Sequence, residues 1–442
     1  MTSLPVRMAA VRKLKGLSDL PLEMLWKISE KLSSADIACL ALTNRQLLCS
    51  FVDTAFENFQ SHRTSPDHHT RSPFDEDLRS NRPTNSPQGD ARIDLLSRLS
   101  RDLPDYYLCF VCLRLHLWKR VEPPTWENLN VTHDTYRLRY LDVHLQKPLP
   151  ISHYPTYSLH ELHFVHLQLV IRRFYYGPEF GIPVESLLYT EIRTERSRSF
   201  QRLTNNESKG KTEKYLKMTL FSVQDRVCTT PPSLYMRTQG IAVFPRKYPE
   251  EFLQMWWDCT IAQFYVCMYV STSWPQFDKR LESLIRRYCS ARYSYVADKG
   301  SCDKCNNSWQ LEIRPLDETN ASLILTVWMD LGPGLSTEDP QWKSLFWGGT
   351  AEAAAQHKKV DPRLRFERHS VQAGSPNALS VDQMYCRNIS LLKEERHREE
   401  RYRLLVNDGR AGVYMLHGDP SAKPRLCRRM IGNDFSESCH FW

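Results

Sequence analysis

Glycine is scarce, with 16 residues in a chain of 442, which is about half the usual share. Glycine-rich phosphate loops, collagen-like repeats and glycine-punctuated propellers need backbone positions that only Gly fills cheaply, so the composition argues against all three. A membrane-crossing run is missing too. The longest near-apolar stretch, Cys259 to Val270, includes Gln263 and falls well short of the roughly 20 residues a bilayer needs. No apolar signal-peptide core stands near the start, and the 13 Cys form no compact framework. Both point to a reducing compartment, cytoplasmic and/or nuclear, where the triplets at Asn206, Asn306 and Asn320 would carry no sugar. Nor is one charge sign dominant. Lys and Arg number 59 against 51 Asp and Glu, a net +8, which favours solubility and suggests neither a nucleic-acid nor a membrane partner.

What is present divides along the chain. Residues 1–16, basic and without acidic side chains, read as a disordered leader. Residues 17–60 read as a helical module. Pro21 suits a first helical turn and Leu25, Ile28 and Leu32 follow at helical spacing; a second helix begins after Ser33-Ser34 with Ile37, Leu40 and Ala41 inward; Leu47, Leu48 and Phe51 continue the pattern. Residues 61–92 carry Pro66, Pro73, Pro83 and Pro87 among Ser, Asp, Arg and Asn, too little apolar surface to offset the entropy of ordering, and read as a disordered linker.

Residues 93–350 read as one mixed α+β domain without repeats. It opens on a short amphipathic helix from Ile93 to Leu103. Leu159–Tyr176, Lys214–Val227, Leu234–Phe244, Trp309–Arg314 and Leu323–Met329 have the aromatic and β-branched content of strands, and Gln276–Cys289 that of an amphipathic helix. Residues 351–442 read as a mostly disordered tail with a charged, solvated helix near 382–405, where Glu394/Arg398 and Glu399/Arg403 stand at supportive spacing.

The N-terminal module resembles the F-box. Leu20-Pro21-x-Glu23, the stripe leading to Ile28 and Leu32, Asp36 in the loop region and Leu40-Ala41-Leu42 fall in the family's order and spacing; Gln46-Leu47 stands where many members have Trp. The resemblance implies a three-helix unit that docks on a Skp-family adaptor within a cullin-RING ubiquitin ligase, through Leu20, Pro21, Leu25, Ile28, Leu32, Ile37, Leu40 and Leu47. A helical unit of this size, tethered by a linker, has more apolar face than it can bury alone, which fits such a use.

Two Cys-x-x-Cys pairs, Cys109/Cys112 and Cys302/Cys305, are the sharpest chemical hint in the larger domain. Four thiolates suit structural zinc, with His116 as a substitute ligand, while buried reduced cysteines are the alternative. Gly210-Lys211-Thr212 imitates a phosphate loop, but Asn205 stands at the first glycine position, so it reads as a surface loop. His160, His163 and His166 lack metal-ligand spacing on a strand and read as chance or surface residues. No catalytic constellation stands out. Residues 95 to 345 also resemble the C-terminal part of many filamentous-fungal F-box proteins, through Arg101-Asp102-Leu103-Pro104, Gly181-Ile182-Pro183, the two cysteine pairs and Val327-Trp328-x-Asp330-Leu331-Gly332. The expectation is a non-catalytic substrate receptor that joins adaptor and cullin scaffold to an unknown protein target. The alternative is an adaptor-bound structural or regulatory protein that is not a ligase receptor.

Overall fold

The computed structural model describes residues 20–51, 87–110, 113–121, 124, 162–196, 216–229, 232–246, 265–267, 269–271, 275–305, 307–337, 339–345, 360–372 and 379–407. The chain is α+β and divides into two compact units, the first ending at Trp118 and the second beginning at Lys119. The expected leader, residues 52–60 of the expected helical module, residues 61–86 of the expected linker and residues 125–161 lie outside the described residues. No helix among the described residues is long and apolar enough to cross a membrane.

In the first unit, α1 (Leu22–Ser29) starts where the Pro21 carbonyl accepts the amides of Met24 and Leu25 at 3.0 and 3.2 Å. Pro has no amide of its own to waste at this position. The second helix, α2 (Ser34–Thr43), is closed by a capping box: Asp36 N–H donates to Ser33 Oγ at 3.2 Å, and Ser33 N–H donates back to the Asp36 carboxylate at 3.1 Å. After Asn44 the helical residues 45–51 (α3) bring Leu47 and Phe51 into the core. A fourth helix, α4 (Pro87–Asp102), adds Leu95 to that same core, and a hairpin of β1 (Tyr106–Cys109) and β2 (Arg114–Leu117) follows.

This moves the expected boundary at residue 92. The helix read as the opening of the larger domain is longer than 93–103 and belongs with the N-terminal module, where Arg98 forms an ion pair with Asp36. The physical reason is that the three short helices leave an apolar seam, and Leu95 and Leu99, one helical turn apart, close it.

The second unit is built on one six-stranded antiparallel sheet in the order β3-β4-β5-β10-β9-β8. Its strands are β3 (Tyr189–Arg196), β4 (Leu216–Thr229), β5 (Pro232–Pro245), β8 (Val296–Ser301), β9 (Ser308–Pro315) and β10 (Asn320–Gly332). A separate small hairpin pairs β6 (Tyr265–Cys267) with β7 (Val270–Ser271). Four of the five expected strands are strands. The fifth is not: Leu159–Tyr176 contains α5 (Phe164–Tyr176). Residues 164–172 are all buried, and a helix buried on every side has no 3.6-residue stripe to separate it from a buried strand. Gly177 ends it at φ +113°, a conformation that favours glycine.

The two faces of the sheet differ in chemistry because strand residues alternate. One face packs against α6 (Pro275–Ser290), through Phe277 on Trp309 at 5.4 Å and Tyr288 on Phe244 at 6.5 Å between ring centroids. Beyond β10 lies the short α7 (Pro340–Ser344), whose Trp342 packs on Phe164 at 5.4 Å. The opposite face is polar at its centre, with Gln224, Arg237, Gln239 and Thr326 buried there. It is covered by α8 (Pro362–Gln372) and α9 (Val381–Asn407).

The expectation of a disordered tail with a solvated helix is therefore corrected over 360–372 and 379–407. Phe366, Met384, Asn388, Ile389 and Leu392 are buried. Asn388 Nδ2 donates to Ser222 Oγ and Gln239 Oε1, each at 2.8 Å. The helices hold to the sheet by hydrogen bonds as much as by apolar contact, so their polar composition matches the surface they cover. Arg398 pairs with Glu395 at 2.7 Å, one residue from the expected Glu394; the side chain of Glu399 lies outside the described residues.

Candidate functional site

The helical unit separates its apolar residues into two classes. Leu25, Ile37 and Leu47 are core residues, together with Ala38, Ala41 and Phe51. Three of the eight residues expected to face the adaptor thus lie in the unit's own core. Leu20, Leu32 and Leu40 pack on the rim of that core, Ile28 is half-buried and Pro21 is exposed. Sequence reasoning missed Leu22, Met24, Trp26 and Leu42, which are 40–49% exposed. In α1 they flank the buried Leu25 and Ser29 on both sides, with Leu22 and Trp26 one turn apart on one flank and Met24 and Ile28 on the other. Trp26 is held upright by an edge contact with Phe51 at 5.7 Å. An apolar stripe wider than the unit's own core can cover is the signal that was available in the sequence.

Asp36 fixes this unit's geometry. The Ser33 hydroxyl, then the Arg98 guanidinium and the Ser33 amide, hold its carboxyl down at about 2. Arg98 is also paired with Asp94 at 2.9 Å.

The second cluster is a set of three thiols. The Sγ atoms of Cys267, Cys302 and Cys305 lie within 4.8 Å of one another, and all three residues are buried. Cys302 and Cys305 come from the turn between β8 and β9, and Cys267 ends β6. The turn is closed by the Cys302 amide donating to the Asn307 carbonyl at 2.8 Å. Asn307 Nδ2 donates to the Val266 carbonyl at 3.0 Å, tying the turn to β6. The neighbouring thiols of Cys267 and Cys305, then the amides of Cys305 and Lys304, favour the thiolate of Cys302 and hold it well below the ordinary thiol range.

Of the four cysteines expected to share a site, the described residues bring Cys302 and Cys305 together, with Cys267. Cys109 lies in β1 of the first unit, Cys112 lies outside the described residues, and the third thiol beside Cys302 and Cys305 is Cys267. His116, the expected substitute ligand, stands across the β1–β2 hairpin from Tyr107, ring centroids 5.9 Å apart. Of the His residues, His166 Nδ1 accepts the His163 amide at 3.0 Å and both are buried at the start of α5; they serve the helix terminus, not the surface. His160 and the Gly210-Lys211-Thr212 loop lie outside the described residues.

Compared with family models, curated proteins and solved structures, the chain finds no match in any of the three.

Proposed function

We propose that this chain is a non-catalytic receptor subunit of a cullin-RING ubiquitin ligase. Its first unit docks on a Skp-family adaptor, and its second unit recruits a protein target, so that the target is held at high effective concentration near the ubiquitin carrier. The observation that carries the reading is the apolar surface of the helical unit. Leu22, Met24, Trp26 and Leu42 stay exposed although α4 already caps the core, on the same helices whose sequence follows the F-box pattern. Exposed apolar side chains of this size grouped on one small unit mark a contact with another protein.

Two parts of the adaptor set change role in this reading. Leu25, Ile37 and Leu47 keep the helices in register, while Pro21, Met24, Trp26 and Leu42 supply contact. The supporting experiment is affinity capture of the full chain from cells, followed by identification of what co-purifies and what accumulates when the chain is deleted. The reading expects adaptor and cullin in the capture, and at least one protein that accumulates both on deletion and with Met24→Glu plus Leu42→Glu. Recovery of the adaptor without any cullin, with no protein accumulating, would favour the regulatory alternative.

A further inference from the structure

We propose that Cys267, Cys302 and Cys305 are a zinc site that staples the β6–β7 hairpin to the β8–β9 turn. The inference is independent of the adaptor reading and concerns the second unit alone.

The geometry suits zinc. A tetrahedral ion with bonds of about 2.3 Å to sulfur sets its sulfurs roughly 3.8 Å apart, and the three Sγ atoms already stand within 4.8 Å of each other. Thiolates select zinc over the oxygen-seeking magnesium, calcium and manganese ions. The two arms are built alike. Amides of Lys304 and Cys305 point to the sulfur of Cys302, and the amide of Tyr269 points to that of Cys267. In both arms the chain turns around its cysteine so that backbone N–H groups face the sulfur, which stabilises a thiolate.

Two further features belong to the same place. Three thiolates around a divalent cation leave one net negative charge, and Lys304 stands in the turn itself, its ammonium 5.2 Å over the ring of Tyr269. Asn307, 1% exposed, bonds both arms but leaves its Oδ1 buried with no protein partner. A buried amide oxygen in that state is costly unless something donates to it, and a metal-bound water is such a donor. Binding releases the thiol protons to solvent, with no change of oxidation state.

The arrangement also adds a hold on a short hairpin. The strands β6 and β7 are three and two residues long, and a two-stranded ribbon of that size is unstable alone.

The test is zinc analysis of the full chain purified without chelator from zinc-supplemented cells. The expected result is about one zinc per chain, lost in Cys267→Ser and retained in Cys386→Ser, an exposed cysteine of α9. Should Cys267→Ser fail to fold, alkylation of the wild-type chain decides: Cys267, Cys302 and Cys305 are protected together, become reactive together on adding a chelator, and are protected again by zinc. Zinc below half an equivalent with no uptake on titration, equal alkylation with and without chelator, or a disulfide between any two of the three overturns the proposal.

Discussion

Replacing Glu367 by Ala should destabilise the second unit by about 3–5 kcal/mol, the cost of leaving a buried charge without its partner. Arg237, in the middle of β5, is fully buried. Its Nη1 donates to Glu367 Oε1 at 2.7 Å, and its Nη2 to Gln224 Oε1 at 2.5 Å and to the Leu379 carbonyl at 2.7 Å. The Phe366 ring lies 4.8 Å from the guanidinium carbon. Two unit charges about 4 Å apart in an effective dielectric of about 20 attract by about 4 kcal/mol. Trp328 Nε1 also donates to Glu367 at 2.9 Å, and its loss adds about 1 kcal/mol. The reverse truncation differs. Arg237→Met removes the buried cation and leaves Glu367, whose side chain is 26% exposed, able to reach water. The double variant Arg237→Met/Glu367→Ala should therefore be more stable than Glu367→Ala alone. Urea unfolding followed by tryptophan fluorescence measures both, with the midpoint shift read at constant slope. A Glu367→Ala cost below about 1 kcal/mol, the range of an exposed pair, or a double variant no more stable than the single, would refute the account of how α8 is held on the sheet.

Two further outcomes test other parts of the fold. The Asp36 carboxyl is held near 2, below its ordinary 3.8, so its contribution to docking α4 on α2 is fully present above about pH 4 and lost as pH falls through about 2. Amide exchange of α4 between pH 5 and pH 2 should show loosening over that window in the wild type and not in Asp36→Asn; no loosening in the wild type, or the same loosening in the variant, contradicts it. Gly181→Ala should cost about 1–3 kcal/mol or more by overpacking, because a Cβ there would lie 2.0 Å from the Leu169 carbonyl oxygen. A thermal midpoint equal to that of the wild type would count against the close approach of this turn to α5.

The sheet and its α6 layer were legible in the sequence because β4, β5, β9 and β10 are long runs rich in β-branched and aromatic residues, and α6 has one apolar face. For four helices the kind or the place was not, for three separate reasons. The buried α5 has no polar side to betray its period. The tail helices α8 and α9 cover a sheet face carrying Arg237, Gln239 and Thr326, so neither surface looks apolar, and the fit lies in pairs such as Asn388 with Gln239. The helix α4 follows a proline-rich stretch, and its place depends on a seam that only the assembled helices create. At the cysteine cluster the Cys-x-x-Cys turn was readable from spacing alone. Its partner Cys267 was not, because a single cysteine in an apolar strand has the look of ordinary core, and the juxtaposition arises from the sheet topology. In the helical module the apolar spacing located the helices but could not separate residues that build the core from those beside it.

The central claim is that the first unit binds a Skp-family adaptor through its exposed apolar side chains, and calorimetric titration of the purified adaptor into the full chain tests it most directly. The account predicts saturable one-to-one binding with a Kd of about 1 µM or tighter, abolished by Met24→Glu plus Leu42→Glu while the circular dichroism spectrum and the urea midpoint stay those of the wild type. No heat of binding with the wild-type chain, or undiminished binding by the folded double variant, would contradict it.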